Sequence, residues 1–384
     1  MGKANFMKVM GESGVEGISA SDLFGEQQER LWYSLGAATL DSSINQQVRK
    51  GAPGGHIIQL EGKSGTGKSL FGDMAILDAQ RQGGYGLLFD LESSFDGRFF
   101  SRLGIDLSRL SVVEGTVKCK DGTYRPRFLE ETFEAIEDAI ITYQENLSPD
   151  TPAVFLVDSL GALQTRFQYG LKNVSGNTST KDRKSRGSDT GRRAQAIKKW
   201  LWRLRGPLSK TNILLIFINH VYSTMDSFSD METAGGEGAK YLNHLRIQTK
   251  KVRRSEKAGE NGTPYPIDKG KILNERGQVV GERLHLYITK SQIGRPYTSL
   301  DVDFFFKANG DYSLDYYSSY FKWLLENNID EEGNYSDVGH AIEQSGSWYS
   351  RGDFKIQGQK LLPFLEECPE LRGRKEPEGA VSLS

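Results

Sequence analysis

The residues best placed to do chemistry are Gly62-Lys63-Ser64-Gly65-Thr66-Gly67-Lys68-Ser69, an unbroken G-x-x-x-x-G-K-[ST] run. Glycines at this spacing let a loop turn its backbone N–H groups inward onto phosphate oxygens. A helix starting at the end of the run adds the positive end of its dipole. Lys68 then reaches the β- and γ-phosphates, and the Ser69 hydroxyl ligates Mg²⁺. Leu70 closes the binding stretch. The chemistry this implies is ATP binding with Mg²⁺. Three other apolar runs end in polar groups. Ala153–Val157 ends in Asp158, the pattern of a carboxylate that holds the Mg²⁺ site. Leu87–Leu91 ends in Glu92, a candidate for orienting and deprotonating the attacking water. Leu214–Ile218 ends in Asn219 and His220, and His220 is a candidate hydrogen-bond donor to the γ-phosphate.

These groups can meet only if strands deliver them to one edge. Strand-length apolar runs at Ile57–Leu60, Gly86–Leu91, Leu110–Val113, Ala153–Val157 and Ile213–Asn219 alternate with helical stretches at Ser69–Gln82, Phe95–Leu103, Phe128–Gln144 and Arg193–Leu208. That alternation predicts βαβ units and a mostly parallel sheet. Ligands of such sheets sit beyond the carboxyl ends of the strands. Later strands, Leu245–Lys251, Leu284–Thr289 and Val302–Phe306, follow one another and predict an antiparallel edge. Thr165–Thr190, Tyr222–Gly238 and Ser255–Gly281 read as long irregular loops. After about Gly310 the pattern changes to Tyr-rich helices, a hairpin at Ser347–Ile356 and a short helix, a second and smaller domain.

Composition narrows the rest. The chain has 384 residues, a net charge of −1 and 11% glycine by count, 43 residues. Two cysteines, Cys119 and Cys368, exclude a disulfide scaffold and a four-cysteine zinc site, and the other histidines lack ligand spacing. The longest aliphatic run is far too short to span a membrane, and the N-terminus lacks a secretory core. A soluble, intracellular protein is expected. Charge is nevertheless local: Arg166–Arg205 holds twelve basic and two acidic residues. Phe167 and Tyr169 lie among them, and Tyr222 and Phe228 in the next loop. Backbone charge with interleaved aromatics suits sequence-tolerant binding of single-stranded nucleic acid.

Together these segments resemble the RecA family of DNA strand-exchange ATPases, and within it the bacteriophage UvsX-type recombinases, over about residues 50–370. Phe89–Gly104 resembles the segment after the phosphate loop; the match makes Glu92 the catalytic glutamate and sets Asp96 and Phe99 on the adenine. Thr211–His220 resembles the strand entering a second DNA-binding loop, and histidine rather than glutamine at position 220 favours the phage branch. Thr233–Leu242, with Gly235 and Gly236, resembles the end of that loop. Gly277–Lys290 resembles the strand whose lysine, here Lys290, reaches a neighbour's ATP. A second interface lysine of RecA is Gln292 here, with Arg295 nearby. Ser345–Gln359 resembles a C-terminal domain hairpin.

The resemblance implies an N-terminal oligomerisation segment (1–50, in which Leu23-Phe24 is either the anchor on a neighbour or a local staple), a RecA-like core with the DNA loops (51–309) and a small C-terminal α/β domain (310–384). It implies a helical filament on single-stranded DNA that pairs homologous duplex, with ATP and Mg²⁺. Arg166, Arg183, Lys184, Arg186, Arg192 and Arg193 would contact DNA, with Tyr222 and Phe228. A single-strand-binding protein and a mediator are expected partners, and the cytoplasm of a host cell the location. Two other readings share the core: a RecA-like regulator that loads another recombinase, and a ring-forming helicase.

Overall fold

A computed structural model describes residues 30–45, 50–169, 182–223, 231–233, 240–257, 266–274, 276–306, 312–314, 343–345, 348–351 and 354–357. The chain divides into two compact units, 1–31 and 32–384, so the division falls inside the expected 1–50 segment. The reason lies in residues 32–45. Strand β1 (Trp32–Tyr33) pairs with β2 (Ala52–Pro53), and helix α1 (Ala38–Asn45) buries most of its length. Its buried Asp41 accepts a hydrogen bond from Leu35 N at 2.9 Å, which fixes the turn into the helix.

The elements then run β3 (His56–Gly62), α2 (Lys68–Arg81), β4 (Tyr85–Asp90), α3 (Gly97–Arg102), β5 (Leu110–Glu114), β6 (Thr116–Lys118), β7 (Tyr124–Pro126), α4 (Leu129–Asn146), β8 (Ala153–Asp158) and α5 (Asp182–Leu208). They continue through β9 (Ile213–Ser223), β10 (Met231–Thr233), β11 (Leu245–Lys251), β12 (Ile267–Asp268), β13 (Lys271–Leu273), β14 (Val279–Ser291), β15 (Ser299–Phe306) and β16 (Tyr312–Leu314). One large sheet has the order β12-β13-β14-β11-β3-β9-β8-β4-β5, with β10 on β9 and β15 and β16 beyond β14. From β11 to β5 every pairing is parallel. From β14 outward the pairings are antiparallel, as the sequence of late strands predicts. This is an α/β fold with a large, mostly parallel central sheet, consistent with a RecA-like core.

Strands buried on both faces carry continuous apolar runs, and β8 and β9 do so, while β3 also buries Gln59 and Glu61. Two amphipathic helices cover one face. Helix α4 presents Leu129, Phe133, Ile136, Ile140 and Tyr143, and α5 presents Ile197, Leu201, Leu204 and Leu208, all buried against Phe155, Val157 and Phe217. Each such side chain contributes roughly 1.5–3 kcal/mol by leaving water. Phe133 stacks between Trp200 and Phe217, with ring centroids 5.9 and 5.8 Å away.

Three expected loops are partly regular. Within Thr165–Thr190, residues 166–169 form a helical turn, and α5 begins at Asp182 rather than at Arg193; residues 170–181 lie outside the described ones. Gly187 and Gly191 each cost a helix about 1 kcal/mol. The anchored C-terminal half offsets this, because adding a turn to an existing helix is easy once it is nucleated. Within Tyr222–Gly238, β9 runs on to Ser223 and pairs with β10, Val221 opposite Thr233. Ladder hydrogen bonds need no apolar side chains, so the run of apolar residues ends before the strand does. Within Ser255–Gly281, β12 and β13 form a hairpin on β14. In the C-terminal part, β17 (Glu343–Ser345), β18 (Trp348–Arg351) and β19 (Phe354–Gln357) make an antiparallel sheet, with β18–β19 at the expected hairpin. Leu23, Phe24, Phe228, Gly235 and Gly236 lie outside the described residues. Among the described residues no helix is long and apolar enough to cross a membrane.

Candidate functional site

Strand β3 lies between β11 and β9 and releases the Gly62–Ser69 loop at its carboxyl end. The loop glycines are required by geometry. A Cβ on Gly62 would come within 2.5 Å of Thr249 O on β11, and Gly67 has φ +75°, a backbone that side chains rarely tolerate. Thr66 Oγ1 donates to Lys63 O at 2.8 Å and hydrogen-bonds Thr249 Oγ1 at 2.6 Å, which ties the loop to the sheet. Lys68 Nζ donates to the same Lys63 carbonyl at 2.7 Å. Its ammonium therefore rests on a neutral acceptor. Ser64 is exposed at the tip and Leu70 is buried in the first turn of α2.

Asp158 ends β8, beside β9. Ser69 Oγ donates to Asp158 Oδ2 at 2.6 Å. Burial pushes the Asp158 carboxyl above the usual range, while the Ser69 hydrogen bond and Lys68 pull it back. Burial likewise pulls the Lys68 ammonium down, opposed by Asp158 and Glu92. One helical turn beyond Ser69, Asp73 is buried, and burial and Asp158 raise its carboxyl well above the usual range, which favours its neutral form. Among the described residues no group of three or more His, Cys, Asp or Glu could hold a metal by itself. Mg²⁺ takes one or two carboxylates and completes its shell with waters and substrate phosphates. The hydroxyl of Ser69 and the undercompensated carboxylate of Asp158 are hard oxygen donors that fit it.

The turn after β4 is knotted by Asp90, whose Oδ1 and Oδ2 accept from Ser94 N at 2.9 Å and Phe95 N at 3.0 Å. Leu91 N donates to Asp158 O at 2.7 Å, joining this turn to β8. Glu92 projects from it. Ser159 Oγ donates to Glu92 Oε1, and His220 Nε2, on β9, lies 3.0 Å from the same oxygen. Among the described residues Oε2 has no hydrogen-bond partner, which leaves it able to accept from a water. The structure thus brings Lys68, Ser69, Asp158, Glu92 and His220 to one edge from β3, β4, β8 and β9. Sequence reasoning missed Ser159 and Asp90. Ser159 carries no signal beyond following Asp158, and Asp90 looks like any acid ending a strand.

Other expected site residues stand on α3, on the 166–169 turn, on α5, on β9 and on β14. Asp96 caps α3, its side chain accepting from Arg98 N at 2.9 Å, which holds its carboxyl below the usual range. Phe99 is half-buried and packs edge-on against Phe100. Arg166 is exposed and lies 3.5 Å from Glu131 and 3.8 Å from Glu134. Arg192 stacks over the Phe167 ring at 4.3 Å. Arg193 Nη2 donates to Leu160 O at 2.5 Å and Gly161 O at 3.1 Å, binding α5 to the segment after Asp158. Arg183, Lys184 and Arg186 stand on the α5 backbone, and Tyr222 on β9. Lys290 is on β14, opposite Arg246 of β11.

A mostly parallel α/β sheet carrying a G-x-x-x-x-G-K-S loop, a strand-end aspartate and a turn glutamate fits the class of nucleotide-binding ATPases. No family model matches the chain. It is similar to Protein RecA of Macrococcus caseolyticus, 26% identical over 346 residues that span 88% of this chain and 78% of that protein. It is also similar to Protein RecA of Staphylococcus carnosus at 25% and of Staphylococcus aureus at 24%, over the same length. This similarity along most of the chain supports the RecA family.

Proposed function

We propose that this chain is an ATP-dependent homologous recombinase, of the RecA family and its UvsX-type phage branch. It forms a helical filament on single-stranded DNA, pairs it with homologous duplex and exchanges strands. The observation that carries this reading is the meeting of two hydrogen-bonded groups, Ser69–Asp158 and Ser159–Glu92–His220, on one edge from which β9 continues directly into the β9–β10 ribbon.

Loop backbone N–H groups, Lys68 and Ser69 hold the triphosphate. Ser69 and Asp158 would hold Mg²⁺, which would supply charge neutralisation. Glu92 Oε2 orients the attacking water and takes its proton, while Asp96 and Phe99 receive the adenine. His220 has two possible partners, Glu92 and the γ-phosphate. Drawn to the phosphate, it releases Glu92 and shifts the strand that leads into the DNA loop. Nucleotide state and DNA affinity are then coupled, because each ligand stabilises the same arrangement. Lys290 completes the site of the next protomer. Arg166, Arg183, Lys184, Arg186, Arg192 and Arg193, with Phe167, and the second loop with Tyr222, Phe228, Gly235 and Gly236, grip the DNA backbone and bases. A single-strand-binding protein and a mediator would act with it in the host cytoplasm.

The test is ATP turnover with and without single-stranded DNA. Wild type should show DNA-stimulated turnover that Glu92→Gln removes while ATP binding remains. D-loop formation from homologous duplex should require ATP. No turnover in wild type would favour a regulator that loads another recombinase, and six-membered rings in electron micrographs would favour a helicase.

A further inference from the structure

One cluster of cations lies at the end of the sheet where the parallel strands begin, away from the phosphate loop. Arg246 is level with Gln59 of β3 and paired with Lys290 of β14, whereas the loop leaves β3 at Gly62, level with Thr249. Three residues of strand separate the two levels, about 10 Å, and Lys290 is two strands to the side. Helix α5 leads into the start of β9, so its last turn brings Arg205 to this same end. Arg205 Nη2 donates to Gln292 Oε1 at 2.9 Å and Nε to His244 Nε2 at 3.1 Å. Lys290 Nζ donates to Tyr241 O at 2.6 Å.

Arg246 has a carboxylate partner, Glu61 Oε2 at 2.6 Å. Among the described residues neither Arg205 nor Lys290 has one. Burial lowers the Lys290 ammonium first, and the fields of Arg205 and Arg246 lower it further. Among the described residues these three positive charges therefore share a single carboxylate partner, Glu61. Clustered like charge destabilises the fold until an anion arrives. Two aromatic residues stand beside it: Tyr241, 69% exposed, whose carbonyl holds Lys290, and Trp202, 70% exposed, one helical turn before Arg205. Exposed aromatic residues beside arginine are typical of the centre of a protein interface.

We infer that Arg205 works in trans with Lys290, its guanidinium binding the terminal phosphates of the nucleotide held by the next copy of this chain. The inference rests on the ATPase reading above. The chain's own phosphate loop opens at the other end of the same strands. A second copy presents its triphosphate at that complementary end, so the anion and the cations meet head to tail. Such heterologous contacts repeat as open helices. The planar fork of arginine grips phosphate oxygens in pairs, which a single ammonium cannot. Arg295, expected beside Lys290, is instead an exposed residue of the turn after β14, and the fields acting on Lys290 come from Arg205 and Arg246. A last-turn arginine can also serve only its own helix end, and the experiment separates the two roles.

Arg205→Ala and Glu92→Gln are assayed alone and mixed in equal amounts, with ATP and single-stranded DNA. Each alone should lose at least about tenfold in turnover, since arginines acting this way are worth more than that. The mixture should recover about a quarter of the wild-type rate, because half the sites are Arg205→Ala and half of those face a Glu92→Gln neighbour that supplies Arg205. Sedimentation gives a second readout: a non-hydrolysable ATP analogue should enlarge wild-type assemblies and fail to enlarge Arg205→Ala, with Arg205→Lys between them. A mixture no faster than its two components, or Arg205→Ala turning over like wild type, overturns the role of Arg205 and leaves the recombinase reading standing. A wild type without turnover overturns both.

Discussion

In the antiparallel wing the charges satisfy one another. Arg283 donates from Nε and Nη2 to the two carboxylate oxygens of Asp303, each at 2.6 Å, and from Nη1 to Glu256 at 2.8 Å. Arg254 bonds both Glu256 and Asp301, and His285 Nδ1 lies 2.7 Å from Asp301. At the phosphate-loop edge the pattern is reversed. Lys68 rests on a carbonyl, Asp158 on a hydroxyl, and Asp73 is buried beneath them. A closed network of buried charge holds one arrangement of backbone, because losing any member strands its partner. Buried charge left open is costly by itself and becomes favourable when a ligand supplies the missing charge. The two regions differ in which partner completes them: the wing is completed by the chain, and the edge, in the function proposed above, by a polyphosphate and a cation.

The sharpest way to break this comparison is to remove the group assigned to the chemistry. Glu92→Gln should lower DNA-stimulated turnover by about 10²–10⁴-fold, the usual range for a general base, with the melting temperature nearly unchanged. Next in size, Arg283→Ala should destabilise the chain by about 3–5 kcal/mol, because it leaves Asp303 buried without its cation and Glu256 with Arg254 alone; urea unfolding measures this. A loss below 1 kcal/mol would mean that the wing network is ornamental.

A smaller effect has the opposite sign. The Asp158 carboxyl is raised in the folded chain by burial, so folding favours its protonated form. Its contribution to stability is full below the unfolded pKa and falls as pH rises through the folded value. Asp158→Asn should therefore stabilise the nucleotide-free protein at neutral pH by about 1 kcal/mol, roughly 2–4 °C, while Mg²⁺-dependent ATP binding is lost. The smallest effect concerns Glu131, which Arg125 holds below the usual carboxylate range through hydrogen bonds of 2.7 and 2.8 Å. This pair stabilises above the unfolded pKa and fades as pH falls through the folded one. Glu131→Gln should cost about 1 kcal/mol at pH 7 and flatten the acid limb of a melting-temperature profile.

The alternation of apolar runs with helical stretches predicts the sheet because each strand buried on two faces must be apolar throughout, and β11 (Leu245–Lys251) has the bounds its pattern predicts. The start of α5 is less legible: Gly187 and Gly191 look like breakers, and only the packing of Ile197 through Leu208 on the sheet keeps the helix going. At the site, the phosphate loop is legible because its backbone turns demand glycine at fixed places. Ser159 is not, since nothing in its neighbours says that its hydroxyl will meet Glu92 from another strand.

By itself the sequence determines the local things: which loop can wrap phosphate, which runs become strands, which segment carries excess positive charge. These follow from backbone sterics and from the period of apolar residues, both of which act over a few positions. Strand order was decided only by the tertiary structure. Parallel pairing through β3, β9, β8 and β4 sets His220 and Ser159 on one oxygen of Glu92, and it sends Arg205 and Lys290 to the far end of the same strands. Contacts between residues more than sixty positions apart depend on which strands neighbour each other, and no short-range pattern encodes that choice.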